Sequence, residues 1–290
     1  MDNQGHPDRG WPSAASPVVA VIGDPIAHSL SPLLHNAAFA ALGLDWVSVG
    51  FRVPPGAARS ALDAVRTLSL RGLSVTMPHK AAVAEAVDVL TPTAQRLDAV
   101  NCVIAGRDGR LTGDNTDGRG FITALGRGVG VDVSGMHCLV LGGGGAARAV
   151  VVALADAGAA DVAVWARRPE QAAAAAELAG SVGRMGEPGE GAAAELVVNA
   201  TPAGMAGTPS AGEAPGVDPE TLSSRQVVVD LIYEPLQTAW LTACAARGAT
   251  TLGGLGMLVH QAAVQLHSWT GHEAPVEAMW AAAEAAVGAR

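Results

Sequence analysis

The chain has 290 residues with 27 acidic and 18 basic side chains, a formal net charge of −9 that argues against nucleic acid or another polyanion as partner. With 49% apolar and 16% charged residues it is not a disordered chain, and at roughly 150 residues per domain its length suggests two domains. The apolar content comes from Ala, Val and Leu, not from the 3% of aromatics, and together with 36 glycines it predicts closely packed helices on a Val-rich sheet.

The mean hydropathy of +0.29 raises the question of a membrane span. The strongest apolar stretch, 149–165, is interrupted by Asp156, Gly158 and Asp161, short of the roughly 20 uninterrupted residues a span requires, so no membrane partner is expected. Residues 1–16 lack a basic segment followed by an apolar one and read as a disordered leader, not a signal peptide. Cys102, Cys138 and Cys244 are odd in number and far apart, which predicts neither a disulfide framework nor a zinc site and makes the cytoplasm the expected compartment.

Taken in chain order, short β-rich runs alternate with helix-length segments, the pattern of an α/β fold with mostly parallel sheets. A strand over 18–22 enters a Gly-Asp-Pro turn, and a helix is predicted over 31–42 with Ser31 as N-cap and Pro32 in the first turn. Strands at 46–53 and 73–77 flank a helix over 56–70, and helices follow over 79–90 and 92–97. Asp108-Gly109 is a tight-turn dipeptide between strands 101–104 and 111–112. A second α/β series has strands at 138–141, 162–165, 196–199 and 227–231, a Gly/Pro/Ser-rich surface loop over 204–219, and closing helices over 255–270 and 275–287. The boundary between the two units falls near 117–119, and composition alone leaves the closing helices open to either unit.

The segment LVLGGGGAARAV (139–150) sets a glycine cluster between a strand and an Ala-rich helix. Gly142, Gly144 and Ala147 fit GxGxxA, in which glycine permits the tight turn and lets a diphosphate approach N–H groups at the positive helix end. The next strand ends in Arg167 and Arg168, where an NAD site would carry Asp or Glu for the ribose hydroxyl. Arginine accepts no hydrogen bond but clamps a 2′-phosphate, so NADP is the expected cofactor. In GDPIAHSLSPLLHN (23–36), Ser29 and Ser31 stand at a helix start, where two hydroxyls and the helix dipole suit a carboxylate. Capping alone would account for Ser31 but leave Ser29 without a task.

Those segments are joined by SVTMPHK (74–80), AVN (99–101), GDNTDG (113–118), NATPAGM (199–205), DLIYEPLQTAW (230–240) and GGLGMLVHQAA (253–263). Together they resemble the shikimate dehydrogenase family across nearly the whole chain from about residue 18, in the family's order. The resemblance implies an N-terminal α/β substrate domain with a mostly parallel sheet, formed by 17–117 and 256–290, and a Rossmann NADP-binding domain over 118–255. It implies reversible NADP-dependent reduction of 3-dehydroshikimate to shikimate, in the chorismate route of aromatic amino-acid biosynthesis. Ser29 and Ser31, helped by Tyr233, are expected to hold the substrate carboxylate, and Thr76, Lys80, Asn101, Asp117 and Gln261 to contact the ring hydroxyls. The cofactor is expected at Gly142, Gly143, Gly144, Gly145, Ala146, Arg167, Arg168, Thr201, Leu231, Gly254 and Met257. Two positions depart from the pattern: Ser74 stands where many members have Asn, and Ala166-Arg167-Arg168 where Asn-Arg-Thr is usual. Ser74 keeps quinate or aminoshikimate open as substrate, and a noncatalytic NADPH- or shikimate-binding regulator is the alternative of another class.

Oxidising a secondary alcohol needs a base for the hydroxyl proton while hydride leaves the carbon. Lysine is charged in water at neutral pH, and a neighbouring carboxylate both orients it and favours that form, so Lys80 and Asp117 are read as one coupled pair. In the reducing direction the ammonium protonates the emerging alkoxide directly. His28, His35 and His79 show no metal-ligand spacing, so no metal is expected, and no GxSxG elbow supports a hydrolase. Met77 and Met257 are expected as packing or nicotinamide-wall residues, with Gly256 leaving room for the ring. A small-molecule substrate and a monomer or homodimer complete the expectation.

Overall fold

The computed structural model describes residues 12–288. Of the expected leader, 1–11 lie outside the described residues, whereas Ser16 is buried and donates its hydroxyl to Asp45 Oδ2 at 2.8 Å. That anchor shortens the leader at its C-terminal end.

The first sheet holds β1 (Val18–Gly23), β2 (Val47–Arg52), β3 (Gly72–Val75), β4 (Val89–Leu90), β5 (Cys102–Ala105) and β6 (Leu111–Asp114), in the order β2-β1-β3-β5-β6-β4. β1 pairs in parallel with β2 and β3, β4 with β6, and only β5 runs antiparallel, to β3 and β6. Its helices are α1 (Ser31–Ala41), α2 (Ala58–Thr67), α3 (Lys80–Ala84) and α4 (Pro92–Leu97). The helix expected over 79–90 is corrected here: it ends after one turn, and Val89 pairs with Thr112. A short apolar run reads equally as helix or strand, and the otherwise open edge of β6 decides for strand.

α5 (Asp117–Val129) then leads to a second sheet of β7 (His137–Leu141), β8 (Asp161–Trp165), β9 (Gly183–Met185), β10 (Leu196–Asn199), β11 (Val227–Asp230) and β12 (Thr250–Gly253). All its pairings are parallel, in the order β12-β11-β10-β7-β8-β9. It is accompanied by α6 (Gly145–Asp156), α7 (Pro169–Glu177) and α8 (Ala239–Ala246), and the chain closes with α9 (Leu255–Thr270) and α10 (Val276–Gly288). The architecture is the two-part α/β arrangement expected. The pattern assigns no helix to α5, because its first turn, Asp117-Gly118-Arg119-Gly120, is poor in helix formers. Packing overrides propensity there: Phe121 and Leu125 are buried with Val140, Val150 and Val198 in the core of the second sheet.

The closing helices settle against the first unit. Leu34, Ala38 and Phe39 of α1 share one buried cluster with Val259, Leu266, Met279 and Ala283 of α9 and α10. α5 and α9 cross closely at Gly120, where a Cβ would lie 2.6 Å from the backbone nitrogen of Gln261, so only glycine permits this approach. None of the helices among the described residues is long and apolar enough to cross a membrane. All three cysteines are buried free thiols, and burial pushes Cys138 up to about 12 and Cys244 up to about 11, away from nucleophilic use.

Candidate active site

The centre of the site is built from three chain segments that converge at the starts of α3 and α5. Lys80 is the first residue of α3, Asp117 the first of α5, and Lys80 Nζ donates to Asp117 Oδ2 at 2.6 Å. The Lys80 side chain keeps 23% exposure and that of Asp117 9%, so the pair is sheltered yet reachable from solvent on the lysine side. Asp117 Oδ1 accepts from Asn101 Nδ2 at 2.7 Å, and the start of α5 adds a favourable dipole for the carboxylate.

Asn101 is the hub. Its Nδ2 also reaches Thr116 Oγ1 at 2.9 Å and Gln261 Oε1 at 3.3 Å, and its Oδ1 accepts from the Thr116 backbone N–H at 2.8 Å. Two amide hydrogens cannot serve three acceptors equally, and the longest contact, to Gln261, is the weak one. Gln261 Oε1 is held instead by Gln265 Nε2 at 2.9 Å, which also donates to the carbonyl of Asn101 at 3.1 Å. Behind Gln265 lies His35, wholly buried, whose Nδ1 is 3.1 Å from Ser48 Oγ. Burial lowers its pKa to about 4, so the imidazole is neutral. Sequence reasoning missed Thr116 and Gln265. The spacing of Gln265, four residues after Gln261 on one helix face, was the available signal.

Thr76 sits one turn before Lys80, its carbonyl accepting from His79 N–H at 3.0 Å. The Asp24 N–H donates to the Met77 carbonyl at 2.9 Å, tying the loop that carries Ser29 and Ser31 to the loop that carries Thr76. Both loops leave the C-terminal ends of parallel strands, β1 and β3, where α/β folds place ligands. The capping expectation is corrected: Leu30 is the N-cap of α1, and Ser29 Oγ accepts from the Ser31 N–H at 3.3 Å. Ser29 therefore has the local task, while the buried Ser31 hydroxyl has no partner among the described residues. Tyr233 packs against the α1–α9 cluster. Among the described residues no hydrogen bond joins Ser29 or Ser31 to the Lys80–Asp117 group.

The second part of the site lies at the start of α6. Gly142, Gly143, Gly144, Arg167, Arg168 and Thr201 line one cavity of about 480 Å³. Gly142 has φ +123°, a conformation only glycine takes without strain, and a Cβ there would press on the Ala200 carbonyl at 2.9 Å. At Gly144 and Gly145 a Cβ would meet nothing within 4 Å, so bare backbone borders open space at the helix start. This cradle, with arginines at the end of β8, fits the diphosphate and 2′-phosphate of NADP. Thr201 is fixed from below: its N–H and Oγ1 both donate to Asn199 Oδ1, and Asn199 Nδ2 donates to the buried Asp230 at 2.9 Å. Burial raises the Asp230 carboxyl above its usual range, opposed by hydrogen bonds from Thr238, the Ile232 N–H and Asn199.

Gly145 and Ala146 open α6 beside this cavity, whereas Leu231, Gly254 and Met257 stand apart from it at the ends of β11 and β12 and the start of α9. Leu231 and Gly254 touch through the Leu231 carbonyl, and Met257 packs on the second core. Met77 is 70% exposed, which does not fit a packing role and leaves the cofactor-wall reading open. A Cβ at Gly256 would meet Ala124 at 3.2 Å and Trp280 at 3.5 Å, so its absence makes room for α5 and α10. Loop residue Glu213, which no sequence signal marked, lies 3.9 Å from Arg167 on the cavity wall. Among the described residues no cluster of three or more His, Cys, Asp or Glu is disposed to hold a metal.

Comparison with known proteins agrees with this geometry. Residues 21–103 match the model of the shikimate dehydrogenase substrate binding domain and 254–284 that of the shikimate 5′-dehydrogenase C-terminal domain. The chain is 43% identical to a shikimate dehydrogenase (NADP(+)) of Moorella thermoacetica, with 95% of each chain covered. A shikimate dehydrogenase crystallised with NADP+ superposes with a TM-score of 0.90 at 36% identity, covering 97% of this chain and 99% of that one. The Thermus thermophilus shikimate 5-dehydrogenase in complex with NADP(H) and shikimate gives 0.86 at 39% identity, covering 93% and 99%. With identity of this level over nearly its full length, the chain belongs to the shikimate dehydrogenase family.

Proposed function

We infer that the protein reversibly reduces 3-dehydroshikimate to shikimate with NADPH, in aromatic amino-acid biosynthesis. The observation that carries this reading is the Lys80–Asp117 pair at 2.6 Å, locked to Asn101 and set among the family's substrate motifs. When bound in the glycine cradle, NADPH supplies the hydride that the ketone carbon takes up.

The Lys80 ammonium donates a proton to the ketone oxygen as negative charge develops there, and Asp117 holds it in place and balances its charge. Lys80 recovers its proton from water through its exposed side. In the oxidising direction the same atoms run in reverse, the neutral amine accepting the hydroxyl proton. We assign the substrate carboxylate to Ser29 and Ser31 at the start of α1 with Tyr233, and the ring hydroxyls to Thr76, Asn101 and Gln261. The arginine pair Arg167 and Arg168 takes the 2′-phosphate, and Leu231, Gly254 and Met257 border the nicotinamide end.

We divide the chain into a substrate unit of 17–117 and 256–290 and a cofactor unit of 118–255, supported by the shared core of α1, α9 and α10. With its three cysteines as free thiols, we place the protein in the cytoplasm. Loss of NADPH absorbance on addition of 3-dehydroshikimate tests the reading, and absence of turnover at micromolar enzyme would overturn it. Ser74, buried on β3, keeps quinate as a second substrate to be measured with both nicotinamide cofactors; quinate with NAD outpacing shikimate with NADP would reverse the preference.

A further inference from the structure

A second cavity, of about 450 Å³, opens between α5, α9 and α10, and none of the residues assigned to substrate or cofactor lines it. Arg127, in the last turn of α5, lines it, while Asp117 starts the same helix at the catalytic pair. Ten residues at 1.5 Å each put roughly 15 Å of helix between the two positions. Its walls are mainly apolar, formed by Ala124, Leu252, Val276 and the ring of Trp280. A pocket of this size and apolarity with a few convergent polar groups is what small-molecule sites have in common.

Two of its polar groups lack partners. His260 is only 7% exposed and lines the cavity, yet neither ring nitrogen is hydrogen-bonded among the described residues. A ligand accepting from its N–H would give that ring a partner inside the cavity. Arg127 complements the C-terminal end of α5, but its guanidinium has neither an ion pair nor a hydrogen bond among the described residues. The two lie close enough that burial first, and the Arg127 charge second, lower the basicity of His260. His260 therefore offers a neutral N–H beside a permanent positive charge, a donor pair for one anionic group.

The facing helix limits how much negative charge can enter. Glu277 and Glu284 of α10 line the far side, Glu284 Oε1 accepting from Trp280 Nε1 at 2.8 Å. A phosphate or dicarboxylate would meet these carboxylates, whereas a single carboxylate at the Arg127 end would leave an apolar body against Trp280. We propose that the cavity between α5, α9 and α10 is a second binding site, taking a small monocarboxylate with an aromatic or branched apolar body between Arg127–His260 and Trp280. The inference does not depend on the reaction assigned to the cleft.

The experiment titrates the full chain with 3-phenylpropionate by calorimetry in the presence of saturating shikimate and NADPH, a pair that cannot react and fills the cleft. One equivalent should bind. Arg127→Gln, an exposed change that leaves turnover intact, should weaken binding by roughly tenfold or more, as loss of a hydrogen bond to a charged group does. His260→Leu should weaken it as well, and 3-phenylpropanol, the same body without the charge, should bind at least as poorly. Absence of saturable binding, displacement by shikimate and NADPH, or indifference to Arg127→Gln would each overturn the site. Because Arg127 is on the surface, that variant keeps the test decisive even if His260→Leu fails to fold.

Discussion

Replacing Lys80 by methionine separates chemistry from binding and from stability. General acid catalysis by a positioned side chain is worth about 10²–10⁴ in rate, or about 2.7–5.4 kcal/mol of barrier, and kcat for 3-dehydroshikimate should fall by that factor. In the ground state Lys80 offers one hydrogen bond to a neutral ketone, worth about 1 kcal/mol net, so KM should rise less than roughly tenfold. The fold should survive. Asp117 keeps its 2.7 Å bond from Asn101 Nδ2 and its place at the start of α5, and the lost partner was 23% exposed and so partly screened. A net loss of about 1 kcal/mol corresponds to a Tm lower by about 2–4 °C. Lys80→Arg is the control, because it preserves positive charge but guanidinium gives up a proton far less readily than ammonium does. Steady-state NADPH kinetics with a thermal melt on each variant reads all three quantities. An unchanged kcat with a raised KM, or an arginine variant as fast as wild type, would remove Lys80 from proton transfer and leave it a binding charge.

Glu213→Gln should lower KM for NADPH by about threefold, because Glu213 sits 3.9 Å from Arg167 on the cavity wall and its charge opposes the 2′-phosphate by ~0.6 kcal/mol through solvent. The gain should shrink at high salt and be missing with NADH; a weaker NADPH interaction would instead make Glu213 a support for Arg167. His35→Gln addresses acid stability. His35 titrates near pH 4 in the folded protein, below the ordinary 6.5, so under pH 6.5 the unfolded chain takes up a proton that the native state refuses. Folding stability from this group is present above 6.5 and is lost as pH falls towards 4, by up to ~3 kcal/mol. Urea titrations at pH 7 and pH 5 should show the stability gap between wild type and His35→Gln narrowing at the lower pH, and a constant gap would mean that His35 takes up its proton as readily in the folded protein as in the unfolded chain.

Much of the fold was legible because it is written locally. α4 and β10 fall at 92–97 and 196–199 as read, and α9 at 255–270, since Pro and Gly boundaries and apolar periodicity lie within the elements themselves. α5 was not legible, because Gly118 and Gly120 weaken its propensity, and the reason for Gly120 is the backbone of Gln261 on a helix more than a hundred residues later. The strand β4 depended in the same way on an open edge supplied by β6. At the catalytic centre the motifs marked Lys80, Asn101, Asp117 and Gln261, but not the amide pair that joins Gln261 to Gln265 or the buried His35 behind it.

The amino-acid sequence by itself determined the reaction class and the cofactor, and it named Lys80, Asn101 and Asp117, which the fold brings together. A strand–glycine–helix turn, an arginine-ended strand and a run of motifs state their chemistry within a few residues. Only the tertiary structure decided that Ser29 and not Ser31 has the local bond, that Gly256 yields to α5 and α10, and that Glu213 lies beside Arg167. Each of those depends on which distant backbone or charge comes to lie a few ångströms away, and spacing along the chain does not encode that distance.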